Sequence, residues 1–221
     1  MLKYKSLAIV FMALLVMTLS CNKNQDNESA YWNEVLDKYS QDESVTSLIL
    51  VKCTEGSNAE VAYYLRKDSK WELNDTCFGH IGKNGLGKEK EGDAKSPIGE
   101  FNARCAFGIL PNPGTVLDYI DLKESTFACD EDCEYYNQII DTVGTGHRCT
   151  GEDMSKIAPS YNYGISLDYN KDNVYPLGSN IFFHCEGNSP YTSGCVAVNE
   201  PFIKHILETC GKSPKFCINK K

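Results

Sequence analysis

His184 and Cys195 stand close together in the sequence and are of the types that can form a base and a nucleophile. A thiol near its ordinary pKa is mostly protonated at neutral pH, and a neighbouring imidazole can make the thiolate available. Gly194, just before the thiol, lets the backbone approach closely. Amide N–H groups around Ser193 to Cys195 could then face a tetrahedral oxyanion, with Thr192 beside them. Taken singly, a cysteine and a histidine are more often core residues. Here the surrounding elements argue otherwise. Ile181-Phe182-Phe183 is a short apolar run that reads as a buried strand delivering His184 to its end. Gly187, Asn188, Ser189 and Pro190 break the chain, and Val196-Ala197-Val198 begins a second apolar run directly after Cys195. Two strands joined by such a loop can bring the pair together.

Phe183-His184 followed by Thr192-Ser193-Gly194-Cys195-Val196 resembles the active-site signature of the YkuD-type L,D-transpeptidases, a histidine, a loop, then Ser/Thr-x-Gly-Cys and an aliphatic residue. Gly92-Asp93-Ala94-Lys95-Ser96-Pro97-Ile98-Gly99-Glu100-Phe101 is similar to that family's Gly-Asp-x-Lys-Thr/Ser-Pro-x-Gly-x-Phe segment. Tyr163 to Asn170, leading on to Gly178 to His184, is similar to the strand pair that enters its histidine. The resemblance covers about residues 76–208, with the three motifs in the family's order. The gap from His184 to Cys195 is shorter than in most members, and Ala197 stands where many carry an arginine. What the resemblance implies is a mostly β fold with a few helices, an L,D-transpeptidase-like sandwich of mixed sheets. It also implies acyl transfer on peptidoglycan stem peptides, with Cys195 as nucleophile and His184 as base. Ser193, Gly194 and Thr192 would shape the oxyanion and substrate site, and a backbone carbonyl or Asp168 would orient the imidazole. No cofactor is expected.

The first 21 residues read as a leader. Lys3 and Lys5 precede an apolar stretch from Leu7 to Leu19, and Leu19-Ser20-Cys21 resembles a bacterial lipobox, so lipidation of Cys21 is expected. Residues 22–44 would then form a tether and a short helix, with residues 45–221 as the catalytic domain. This places the protein at the exported bacterial cell envelope, held to the membrane by an N-terminal lipid. The formal net charge is −8, and removing the leader takes away two lysines and no acid. With only Arg66, Arg104 and Arg148 as arginines there is no basic stripe, so nucleic acid is not an expected partner.

Eleven cysteines in an exported chain point to disulfides. Setting aside Cys21 and Cys195 leaves an odd number, and Cys129 with Cys133, and Cys210 with Cys217, are the locally plausible bridges. Cys129, Cys133, His147 and Cys149 are zinc-ligand types, but their spacing matches no standard pattern, so no metal is expected.

Along the rest of the chain, Ser29 is placed to cap a helix carrying Trp32, Val35, Leu36 and Tyr39. Ser47–Cys53, Glu60–Arg66 and Lys70–Leu73 read as a three-stranded meander, and Phe101–Leu110 and Thr115–Leu122 as strands. The segment from Gly82 to Lys88 matches G-x-x-x-x-G-K, but Glu89 replaces the Mg²⁺-binding Ser/Thr and no apolar helix follows. A nucleotide site is excluded, and the loop reads as a lid or substrate-side segment. Residues 130–151 read as an irregular insert, in which Tyr135, Tyr136 and Asn137 either resemble a groove-side feature of the family or simply pack. Asn199 and Pro201 start a helix with Phe202, Ile203, Ile206 and Leu207 on one face, ended by Gly211, and His205 points away from that face.

The order His before Cys excludes papain-like and amidase arrangements, and the absence of an arginine after Cys195 excludes a sortase. The rival readings are a hydrolase on the same scaffold and a cysteine-rich envelope binding lipoprotein.

Overall fold

The computed structural model describes residues 32–219. The described residues divide into two compact units, one up to residue 42 and one from residue 43 onward. In the first, residues 32–38 are helical (α1), where the spacing of Trp32, Val35 and Leu36 predicts a helix. Ser29, Cys21 and the leader lie outside the described residues. Among the described residues no helix is long and apolar enough to cross a membrane.

The second unit is mostly β. The meander is present as β1 (Ser47–Cys53), β2 (Asn58–Lys67) and β3 (Lys70–His80), the last running well beyond the expected Leu73. β4 (Gly99–Gly108) and β5 (Tyr119–Asp121) follow. Next come β6 (Thr126–Cys129), β7 (Gln138–Asp141), the short α2 (Thr142–Thr145) and β8 (Glu152–Asp153). The chain ends with β9 (Gly164–Leu167), β10 (Phe182–Cys185), β11 (Val196–Val198), α3 (Glu200–Thr209) and β12 (Pro214–Asn219).

The principal sheet runs β12-β1-β2-β3-β11-β10-β9-β4-β5, and β12 also pairs with β4. Eight strands therefore close on themselves, with β5 as an outer strand on β4. Pairing is mixed: β1–β12, β10–β11 and β4–β5 are parallel and the others antiparallel. The expected mixed strand directions are there, but as one closed sheet rather than two separate sheets of a sandwich. Closure satisfies edge N–H and C=O groups that an open sheet would leave exposed.

Strand alternation decides what is buried where. Ile49 and Val51 of β1, Phe183 and Cys185 of β10, and Val196 and Val198 of β11 enter the main apolar cluster. Phe202, Ile203, Ile206 and Leu207 of α3 join them, the face predicted from their spacing. The Asn199 carboxamide oxygen accepts from the Phe202 N–H at 3.0 Å, capping α3, and Pro201 lies in its first turn, where an N–H has no intrahelical partner.

The insert is less irregular than expected, since β6, β7 and β8 form a small sheet in the order β7-β6-β8. Its strands are too short for a clear alternation to show in the sequence. Neither expected disulfide forms. The Cys129 and Cys133 Sγ atoms are 3.6 Å apart and both thiols are free. Cys210 belongs to the main cluster together with Phe216 and Ile218, so Cys217, between those two on β12, faces the opposite side of the strand.

Candidate active site

In the parallel β10–β11 pair, Phe183 is level with Val196 and His184 with Ala197. Cys195, one residue before Val196, is therefore level with Phe182, and the Phe182 N–H donates to the Cys195 Sγ at 3.3 Å. Phe182 and His184 alternate with the inward Phe183 and Cys185 and share the outer face, so Cys195 and His184 lie on that face too. With strands ~4.8 Å apart and a rise of ~3.3 Å per residue, their Cα atoms are diagonal neighbours at about 8 Å. Both side chains line one cavity of about 530 Å³. Ala197, level with His184, lines it as well. Cys185 is held in the main core, with its Sγ 3.5 Å from the Tyr163 carbonyl it donates to.

The imidazole is buried and packs edge-on against the Tyr161 ring, with centroids 5.5 Å apart. Its Nδ1 lies 2.7 Å from the Cys185 carbonyl oxygen. A carbonyl can only accept, so Nδ1 carries the proton and Nε2 keeps the lone pair. Burial lowers the ring's pKa to about 4 against the opposing pull of the Cys185 and Ser160 carbonyls. Burial likewise raises the Cys195 thiol to about 12; the Phe182 N–H and Lys88 pull it down and the Glu152 carboxylate pushes it up. At neutral pH the resting pair is thus a thiol and a neutral imidazole. The thiol donates to the Asn180 carbonyl at 3.4 Å.

The loop bearing the thiol is fixed from two sides. The Thr192 hydroxyl donates to the Cys195 carbonyl at 2.7 Å, and the Ser96 hydroxyl donates to the same oxygen at 3.1 Å. Gly194 has φ +149°, and a Cβ there would stand 2.9 Å from the Lys95 carbonyl oxygen and 3.3 Å from Ile181 Cδ1. Only glycine fits this conformation and space. Its N–H donates to Thr192 Oγ1 at 3.1 Å, so Gly194 contributes by close approach and not as an oxyanion donor. Ser193 is exposed at the cavity wall.

Asp168 is not the orienter of the imidazole. Its carboxylate accepts from the Asn102 N–H at 2.7 Å and the Asn102 Nδ2 at 2.6 Å, and the Cys185 carbonyl takes the role at His184. Of the tyrosine-rich segment, Tyr136 is buried, donating to Glu91 Oε1 at 2.6 Å, and Asn137 bonds the Tyr169 and Asn170 carbonyls; this is packing rather than groove lining. His205 is elsewhere, with its Nε2 2.5 Å from Asn74 Oδ1.

Sequence reasoning missed Lys88. Its side chain is 3 % exposed, lines the cavity and pairs with Asp93 at 3.1 Å. Burial alone would raise the Asp93 pKa, but the N–H groups of Glu89, Lys95 and Lys90 together with Lys88 hold it at about 2. Asp93 thereby ties the glycine-rich loop into one conformation with a cation at the cavity. The glycines around a lysine are the available signal: they suggest a substrate-side loop but do not single out Lys88. Glu152 and Tyr161 were missed as well; the tyrosine hydroxyl donates to the carboxylate, and burial raises the Glu152 pKa.

A second cluster brings together most of the zinc-ligand types that the sequence offers between Cys129 and Cys149. The potential ligand atoms of Cys129, Glu131, Cys133 and His147 all lie within 4.8 Å of one another. The hairpin of β6 and β7 followed by α2 returns His147 to Cys133, a closure that linear spacing does not reveal.

No family model and no curated protein matches the chain. Among solved structures, the chain is similar to Bdellovibrio bacteriovorus Bd1075 at 15 % identity and a TM-score of 0.44, covering 81 % of this chain and 50 % of that one. It is also similar to the helical cell shape determining protein Pgp2 from Campylobacter jejuni, at 15 % identity and a TM-score of 0.42 over 85 % of this chain and 55 % of that one. The chain spans about half the length of these solved structures.

Proposed function

We propose that this protein is a cysteine acyltransferase of the L,D-transpeptidase (YkuD-like) type, acting on peptidoglycan stem peptides at the cell envelope, where a lipid on Cys21 would anchor it. The observation that carries the reading is the shared face of β10 and β11: Cys195 and His184 line one cavity, and His184 Nδ1 is tied to the Cys185 carbonyl. Two of the three family-like motifs support it, since Asp93 and Ser96 of one and Thr192 of the other each have a structural task at this site.

In this reading Cys195 Sγ bonds to the carbonyl carbon of the third stem residue, a diamino acid, and the thiol proton passes to His184 Nε2. The oxyanion faces the Ser193 and Cys195 N–H groups. Collapse breaks the amide bond to the terminal D-alanine, and His184 returns the proton to the leaving amine. An acceptor amine then attacks the thioester, giving its proton to His184 and restoring the thiol. Because the imidazole is neutral at rest, it is in the form a base needs. Lys88, beside Gly194, places positive charge near the developing anion.

Incubating the protein with tetrapeptide muropeptides tests this. Release of D-alanine with cross-linked product is expected. Trimmed stems alone would make it an L,D-carboxypeptidase, and no release would favour the binding-lipoprotein reading.

A further inference from the structure

The insert carries a cluster that the acyl-transfer chemistry does not use. Cys129 closes β6, Cys133 lies in the turn that follows, and His147 and Cys149 come between α2 and β8. The Cys129 and Cys133 Sγ atoms are 3.6 Å apart, and Cys133 Sγ is 3.6 Å from His147 Nε2. Tetrahedral zinc with ordinary Zn–S and Zn–N bonds sets S···S at about 3.8 Å and S···N at about 3.6 Å. Cys149 is buried against Cys129, with its Sγ just outside the group of ligand atoms that lie within 4.8 Å of one another, so a turn of its side chain would complete the set.

Backbone N–H groups reach two of the sulfurs. The Tyr135 N–H donates to Cys133 Sγ at 3.4 Å, and the Gly151 N–H to Cys149 Sγ at 3.2 Å. At Gly151 a Cβ would meet the Ala128 carbonyl oxygen at 2.3 Å and Cys149 Sγ at 3.1 Å, so a glycine is needed for that N–H to reach the sulfur. The His147 ring stacks at a tilt on Tyr135, with centroids 4.7 Å apart. Cys129, Ile140 and Cys149 are buried together, with Phe127 and Tyr135 packed on them. Glu131 belongs to the group by distance, its Oε2 3.9 Å from His147 Nε2, but it is partly exposed and its Oε1 already accepts from the Thr150 N–H at 2.5 Å and from the Thr150 hydroxyl, whereas Cys149 is buried. A three-stranded sheet this short buries little apolar area, the circumstance in which small modules use a metal.

We propose that Cys129, Cys133, His147 and Cys149 form a closed structural zinc(II) site. Binding releases the thiol protons to solvent and leaves no open coordination position. The site braces the cavity wall. The Cys129 carbonyl accepts from Asn180 Nδ2 at 3.0 Å and from the Asn137 N–H at 2.9 Å, and the Asn180 carbonyl accepts from the Cys195 thiol. The proposal does not depend on what Cys195 does.

The test is metal content of the full protein purified without chelator, together with a Co(II) titration of the apoprotein. About one zinc per chain is expected, with Co(II) giving tetrahedral visible bands and the intense near-ultraviolet absorption of several thiolates. Cys133→Ser should abolish retention, Cys149→Ser should lower the thiolate absorption, and Glu131→Gln should change neither. Failure of the wild-type apoprotein to bind Zn(II) or Co(II), or a disulfide among Cys129, Cys133 and Cys149 in its mass spectrum, would overturn the site. So would a fourth-ligand signature that follows Glu131 instead of Cys149. The wild-type titration decides even if a variant does not fold.

Discussion

The resting state of the Cys195–His184 pair has a direct reactivity consequence. A thiol with a pKa of about 12 is ionised to roughly one part in 10⁵ at pH 7, against a few per cent for a thiol near 8.5. Counting thiolate alone, iodoacetamide should alkylate Cys195 about three thousandfold more slowly than free cysteine at that pH. The logarithm of the rate should climb by one per pH unit up to at least pH 9–10. A preformed thiolate–imidazolium pair behaves in the opposite way, with a reactive plateau that begins where the thiol loses its proton in acid. Mass spectrometry of the peptide containing Cys195, after timed alkylation from pH 4 to 10, separates the two. An acid-side plateau would refute the burial argument, because burial is the largest influence on both groups. Turnover should depend differently on pH, flat through neutrality and falling only as His184 protonates near pH 4.

Three further outcomes follow from the same geometry. Gly194→Ala forces a side chain into a φ of +149° and against the Lys95 carbonyl, so turnover should drop about a hundredfold, the scale of an ångström's misplacement; an unchanged D-alanine release rate would contradict the role of that backbone. The His184 pKa is depressed in the folded protein, so the neutral ring's stability contribution is full above about 6.5 and is lost as pH falls through about 4. Urea unfolding at pH 7.5 and 4.5 should therefore show about 2–3 kcal/mol of acid destabilisation in wild type that His184→Gln lacks, and equal pH dependence in both would contradict it. Lys88→Met removes the buried cation beside the thiol and should slow turnover roughly tenfold or more, with an unchanged steady-state rate refuting its electrostatic part.

Much of this was legible in local patterns. The apolar run Ser47–Cys53 is buried on both faces, and the spacing of Phe202, Ile203, Ile206 and Leu207 marks the inner face of α3. Alternation alone puts Cys185 opposite to His184. What could not be read depends on contacts between distant segments. The β12–β4 pairing that closes the sheet joins residues more than a hundred positions apart, such as Phe216 and Phe101, and leaves no local signature. The partner of His184 is a backbone carbonyl, which every residue carries, so the sequence leaves it open which carbonyl it is, or whether Asp168 takes the role. Lys88 looked like one of several lysines in a loop until Asp93 paired with it in a buried position. The cysteines of the insert meet His147 only after β7 and α2 turn the chain back.

The central claim is that Cys195 is the nucleophile, and the most direct measurement is the intact mass of the protein quenched during turnover of a tetrapeptide stem. An adduct of the acyl tripeptide stem should map to Cys195, be absent in Cys195→Ala, form much more slowly in His184→Ala and persist in Cys185→Ala, where the lost sulfur faces the core. D-Alanine release by Cys195→Ala at the wild-type rate, or an adduct mapping to any other cysteine, would contradict it.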